Sequence, residues 1–153
     1  MAAYVGNIER ITEKNKYFRK VLYTGKHLQL VAMSLQPKEE IGNEVHKGVD
    51  QFFRIEEGRA KFVFGAKEVH LVAAGGAVVV PAGTYHNVIN TSPKEPLKLY
   101  TIYTPPNHKP GTVHRTKAAA EAAEHHPVRK ARPKPKPKAR PKAKAKAKPK
   151  ARK

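Results

Sequence analysis

The chain has 153 residues, enough for one ordinary domain, with 31 Lys and Arg against 12 Asp and Glu and a formal net charge of +19. It has no cysteine, which excludes disulfides and thiolate metal sites, so any metal must be held by nitrogen and oxygen ligands. No run approaches the ~18 to 20 apolar residues of a membrane helix, and the first residues lack a basic patch followed by an apolar stretch; an intracellular, non-secreted protein without a membrane partner is expected.

From Tyr17 to Tyr103 the pattern is one of short runs rich in Val, Ile, Phe, Tyr and Leu, punctuated by turn residues and without helical periodicity. The runs predict strands over residues 19–24, 28–35, 42–46, 51–57, 59–64, 68–72, 77–81, 86–90 and 97–103. Turns are expected at 37–39, 47–50, 57–58, 65–66, 75–76, 82–83 and 91–95. Many short strands without intervening helices argue for an antiparallel sandwich or barrel around a single core. After a turn at 107–111, the alanine-rich stretch 118–124 predicts a two-turn helix with Thr116 as its N-cap, stable only if docked.

Beyond this point the composition collapses to Lys, Arg, Ala and Pro. Residues 127–153 hold fourteen Lys or Arg, six Pro and no acidic residue, leaving 17 basic against 12 acidic residues elsewhere. Repelling charges, helix-breaking prolines and nothing apolar larger than Val128 predict a disordered, partly polyproline-like tail. The organisation expected is therefore a β domain over 1–115, a short helix and linker over 116–126, and the tail over 127–153.

Parity along the strands groups the polar residues. Glu44 and His46 lie two apart and face one side, and Gln51 joins them across the turn at 47–50. His86, Val88 and Asn90 share a face of another strand. If both faces look inward, Glu44, His46, Gln51 and His86 converge on a mixed imidazole and oxygen set suited to a divalent cation. The alternative is a metal-free network of buried polar groups bonded to one another. Asp50 competes with Gln51 for the inward position and is assigned to the turn, while Phe53 and Ile55 share the parity of Gln51. Tyr100 and Tyr103 have opposite parity, so at most one reaches the interior. His108 and His114 flank a Pro-Gly turn in the segment leaving the barrel and are assigned to a loop, with folding over the barrel mouth as the alternative.

Gly75, Pro81, Gly83, His86 and Asn90 fit the second cupin motif at every position: Gly, five residues, Pro, one, Gly, two, His, three, Asn. Glu44, His46, Gln51 and Gly58 keep all spacings of the first motif, which runs His, one, His, four, Glu, six, Gly, with two ligand types changed. Lys38 stands where a Gly usually precedes that motif. The chain thus resembles the cupin superfamily over about 38–105, which implies an all-β fold of the double-stranded β-helix or jelly-roll type.

The resemblance also implies a metal site, with Glu44, His46, Gln51 and His86 as ligands of one divalent ion (iron, manganese, nickel or zinc). Phe53, Ile55, Val88 and Asn90 are the residues expected to line the ligand pocket, with bonding to a neighbouring turn as the alternative for Asn90, and Gly58, Gly75, Pro81 and Gly83 those that shape the motifs. The expected function is binding of, or action on, an oxygen-rich small molecule of sugar or carboxylate type. Similarity to cupin-type mannose-6-phosphate isomerases makes sugar isomerisation one alternative; a dioxygenase, which cupins include, is another, favoured if iron binds with two coordination sites open. A homodimer is expected from the resemblance alone.

The tail is similar to the C-terminal tails of linker histones. Its evenly spaced Arg129, Lys130, Arg132, Lys134, Lys136, Lys138, Arg140 and Lys142 suit phosphate neutralisation without base readout, so a nucleic acid is the expected partner. A nucleoid, nucleus or virion would each suit such a tail. A non-catalytic dimeric scaffold delivering two tails to nucleic acid is the alternative of a different class.

Overall fold

The computed structural model describes residues 2–125. The tail expected over 127–153, with its eight candidate phosphate contacts, lies outside the described residues. No helix among those described is long and apolar enough to cross a membrane.

Among the described residues, nine strands and two helices follow in the order α1 (Ile8–Lys14), β1 (Arg19–Thr24), β2 (Gln29–Leu35), β3 (Asp50–Glu57), β4 (Arg59–Phe64), β5 (Glu68–Ala73), β6 (Ala77–Val80), β7 (His86–Asn90), β8 (Leu97–Thr104), β9 (Val113–His114) and α2 (Lys117–His125). One sheet runs β6-β3-β8-β2-β1-β9 and the other β5-β4-β7, with every pairing antiparallel. The two sheets enclose one core of Val31, Met33, Leu35, Phe53, Ile55, Phe62, Val88, Leu97 and Leu99. Burying each such side chain contributes about 1.5–3 kcal/mol before the entropy of ordering is subtracted. The edge-to-face pair of Phe53 and Phe62, 5.2 Å between centroids, spans the gap between the sheets. This is the antiparallel β barrel that the strand pattern predicts, of the jelly-roll type that the resemblance implies.

Alternation decides what each strand turns inward. In β3, Gln51, Phe53 and Ile55 are buried while Phe52, Arg54 and Glu56 are only partly covered. The opposite face carries the outer pair of Phe52 and Tyr100, 6.2 Å between ring centroids. Strand β2 departs from alternation, being buried throughout. Its outer side is covered because α1 packs across β2, β3 and β8. Lys98 of β8 fastens that helix, donating from Nζ to Asn15 O at 2.6 Å and Ser34 Oγ at 2.9 Å.

Three corrections concern the elements. His114, assigned to a loop, lies in β9 and pairs with Arg19 of β1. The strand expected over 42–46 does not form a ladder; of two isolated bridges to β7, Glu44–His86 falls in that segment and Glu40–Ile89 just before it. Gly42 has φ +105°, which breaks the pleat, and its N–H donates to the side chain of Asn87 on β7 instead of to a backbone carbonyl. Helix α1 was not anticipated, although Asn7 caps it by accepting from Arg10 N at 3.0 Å. The expected helix over 118–124 forms as α2, with Thr116 Oγ1 accepting from Ala119 N.

Two turns set up the site. Gly58, at φ +86°, lies so close to the next layer that a Cβ would stand 2.9 Å from Pro96 O. Gly83, at φ +80°, follows Pro81 and returns the chain into β7 at His86. Gly75 turns the chain between β5 and β6. At Lys38, the position where the motif usually has Gly, the backbone takes φ +64°, held by Lys38 Nζ donating to Thr91 O.

Candidate metal centre

One end of the barrel collects polar side chains from four parts of the chain. Glu44 is held opposite His86 by reciprocal backbone bonds, Glu44 N to His86 O at 2.8 Å and His86 N to Glu44 O at 2.9 Å. His46 lies two residues further, and its backbone carbonyl accepts from Gly83 N at 2.9 Å. The turn at Gly83 is thereby tied to the segment carrying the first two candidate ligands. Gln51 enters from the start of β3, and Tyr103 pairs with it across β8.

Ligand atoms of Glu44, His46 and His86 all lie within 4.8 Å of one another, close enough to share one ion. The rings of His46 and His86 stand 5.7 Å apart, and Tyr103 and Phe53 wall them at 5.7 Å and 6.0 Å respectively. His46 Nε2 lies 3.3 Å from Glu44 Oε2.

Hydrogen bonds behind these groups fix which atoms face the centre. His86 Nδ1–H donates to Thr84 O at 2.9 Å, which leaves the Nε2 lone pair free. Gln51 Nε2 donates to Thr101 Oγ1 at 2.9 Å, which leaves its Oε1 as the free atom. Both His86 Nε2 and Gln51 Oε1 are buried without a hydrogen-bond partner among the described residues. Buried acceptors are rarely left so. Two outward-anchored side chains with bare acceptors, beside a carboxylate and a second imidazole, form a donor set that fits a borderline divalent cation.

Electrostatics favour the charged carboxylate. Burial works to raise the Glu44 pKa, but the His46 hydrogen bond and the charges of His46, Arg19 and His86 together hold it below its ordinary value. Tyr103 is fully enclosed, and burial with the nearby Glu44 charge pushes its hydroxyl well above the usual phenol range. It is therefore a neutral hydrogen-bonding group at the site.

The remaining expected site residues divide. Phe53 abuts His86, whereas Ile55 and Val88 lie in the apolar core. Asn90 is corrected from ligand pocket to framework. Its Nδ2 donates to Leu35 O, Gln36 O and Glu95 O, and its Oδ1 accepts from Ser92 N, so no polar atom remains for a ligand. Asp50 is exposed and accepts from Ala82 N at 2.9 Å, consistent with a turn role.

Two residues belong here that sequence reasoning did not place. His108, assigned to a loop, folds over the barrel mouth with its ring 5.1 Å from that of Tyr103. Gln29 of β2 pins it there: Gln29 Nε2 donates to His108 O, and Gln29 Oε1 accepts from the N–H groups of Asn107 and His108. Burial, then the Arg19 charge, lowers the His108 pKa to about 4, so its imidazole is neutral at pH 7. Arg19, the first residue of β1, is almost completely buried, with Nη2 at 4.0 Å from Glu44 Oε1. Its signal in the sequence was a cation at the parity of the buried Val21.

Comparison with known proteins agrees with this architecture. A cupin-domain model matches residues 31–103. The uncharacterized protein YrkC of Bacillus subtilis is 56% identical over 126 residues, covering 79% of this chain and 67% of YrkC. An uncharacterized protein of Acanthamoeba polyphaga mimivirus is 47% identical over 112 residues, covering 72% and 70%. The crystal structure of BH2720 from Bacillus halodurans is similar at a TM-score of 0.76 and 48% identity, covering 79% of this chain and 95% of that one. With the second motif complete, the first kept in spacing and the two sheets closed around His46 and His86, this chain belongs to the cupin superfamily.

Proposed function

We propose that this cupin holds one divalent transition-metal ion between Glu44, His46 and His86, with the Gln51 amide oxygen as a fourth donor, and binds an oxygen-rich small molecule there. The observation that carries the reading is the clustering of three ligand atoms within 4.8 Å, beside the bare buried acceptors His86 Nε2 and Gln51 Oε1. Bound, such an ion acts as a Lewis acid on a carbonyl or hydroxyl oxygen. Thr84 orients His86, Thr101 orients Gln51, and Glu44 supplies the negative charge that Gln51 lacks. Tyr103 stays protonated and offers a hydrogen bond, and Phe53 shields the imidazole from water.

Elemental analysis of natively purified full-length protein tests this directly. One iron, manganese, nickel or zinc per chain is expected, removed by chelator and absent from both His46→Ala and His86→Ala. Equal metal content in the parent and both variants refutes the site.

A second reading concerns the tail and rests on its fourteen Lys or Arg with no acid. We propose that it associates with nucleic acid through the phosphates, independently of base sequence. Truncation after His125 is then expected to abolish salt-sensitive retention on double-stranded DNA while leaving the barrel folded. Undiminished binding by the truncated protein ends this reading.

A further inference from the structure

Arg19 is a buried charge that the metal reading uses only through its approach to Glu44. Only 2% of the residue is exposed. Its Nη1 donates to His114 Nδ1 at 3.4 Å and lies 3.5 Å from a carboxylate oxygen of Glu124, while Nη2 reaches no nearer than 4.0 Å to Glu44. Its Nε has no partner among the described residues. A buried guanidinium with an N–H unmet costs free energy, so as a purely structural device this one is poorly finished.

The guanidinium lines a cavity of about 230 Å³ between the loop after β8 and helix α2, with His108, Lys109, Thr112, His114 and Glu124 among the other walls. His108 also lines this cavity, and its Nε2 is a second buried polar atom without a partner among the described residues. Cationic and imidazole groups outnumber the single acid. That acid, Glu124, reaches in from the last turn of α2 with a side chain 58% exposed. A solvent-facing carboxylate laid against a buried guanidinium is the contact a free carboxylate would also make, since its two oxygens match the planar N–H fork.

We infer that this cavity is an anion subsite beside the metal centre, taking the carboxylate of a small hydroxy or oxo acid. Arg19 binds the carboxylate, Lys109 and His108 flank it, and Glu124 is the internal competitor that a ligand displaces. The volume lies below the ~300–1,000 Å³ of ordinary small-molecule pockets and suits a ligand of few heavy atoms. The inference rests on the proposed metal reading in one respect. Arg19 lines the cavity and also approaches Glu44 at 4.0 Å, so one guanidinium borders both sites.

Calorimetric titration of the full-length, chelator-treated protein with pyruvate and lactate tests the subsite, with propylene glycol as the uncharged control. Both acids are expected to bind and the diol is not. Arg19→Gln should weaken binding about tenfold or more, as loss of a charge-assisted pair does. Because Arg19 is buried, the fold-safe variant is Glu124→Gln, which removes the competitor and should tighten binding by about two- to fivefold. Binding that Glu124→Gln leaves unchanged or weakens overturns the subsite, as does no saturable binding of either acid to any form. Repeating the titration on zinc-loaded protein separates the two readings. Acids that bind with Arg19 and Glu124 dependence to a protein that takes up no zinc remove the metal and keep the subsite. Acids that bind only the zinc form, indifferent to both residues, do the reverse.

Discussion

Strand β7 runs from one end of the barrel to the other, and its two inward polar residues have opposite fates. Asn90, at the closed end, bonds to four backbone groups from the segments that meet there. His86, at the open end, has one nitrogen anchored and the other bare. Strand β3 repeats the contrast, with Ile55 sunk in the core and Gln51 anchored through Nε2 but bare at Oε1. Two positions with the same parity, burial and motif membership therefore do different work. Polar atoms at the closed end satisfy the protein's own backbone, whereas those at the open end have acceptors left for something else.

That contrast can be broken by exchanging the two roles. Asn90→Ala should cost about 3 kcal/mol or more in chemical denaturation, because several buried backbone groups lose their partner at once, while metal content stays as in the parent. His86→Ala should do the opposite. Its metal affinity is expected to fall more than about a hundredfold, beyond the 10–100-fold typical of losing an outer hydrogen-bond partner, with a smaller stability loss than Asn90→Ala in chelator. If both variants lose stability and metal alike, the two ends are not functionally distinct.

Gln51→Glu sharpens the comparison by placing a second carboxylate at the open end. Beside Glu44 and away from water, it should destabilise the chelator-treated protein by about 2 kcal/mol near neutral pH. Divalent metal should restore that loss, and the affinity should rise by about tenfold; thermal melts with and without zinc read both effects. An unchanged melt in chelator would place residue 51 outside the charged centre.

The smallest expected effect lies at the barrel mouth. Burial lowers the His108 pKa to about 4 against an ordinary 6.5. Between those values the unfolded chain binds the proton more readily than the folded one, so stability falls as pH drops from 6.5 to 4 and rises in the other direction. His108→Asn should flatten that slope by on the order of 1 kcal/mol, a figure reduced to allow for partial exposure. A denaturation series across this pH range, in chelator, measures it. An identical slope in parent and variant means that the loop does not hold the imidazole against Tyr103 in solution.

Most of the barrel was legible because alternating burial leaves a period-two pattern. The inward trio Gln51, Phe53 and Ile55 shows it plainly. The segment 42–46 was misread as a strand because its composition suits one, while the break comes from the φ of Gly42 and a side-chain acceptor on Asn87, neither visible in a linear pattern. Helix α1 escaped because it is two turns long, too short for periodicity to stand out, and is stabilised by packing across β2, β3 and β8. In the candidate site, the spacing of the two motifs picked out Glu44, His46, Gln51 and His86, since local chain geometry alone sets which residues two apart share a face. The choice for His108 between a loop and the barrel mouth was not legible because its position depends on Gln29, 79 residues away in the chain.

By itself, then, the sequence determined an all-β barrel, the polar residues of its two motifs and a cationic extension, because these follow from composition and short-range periodicity. Only the tertiary structure decided that Asn90 is framework, that His108 closes the mouth and that Arg19 lies buried beside Glu44. The reason is physical: whether a buried polar atom is satisfied depends on partners that other strands and loops bring to it. No residue's own identity, or its neighbours in the chain, fixes that.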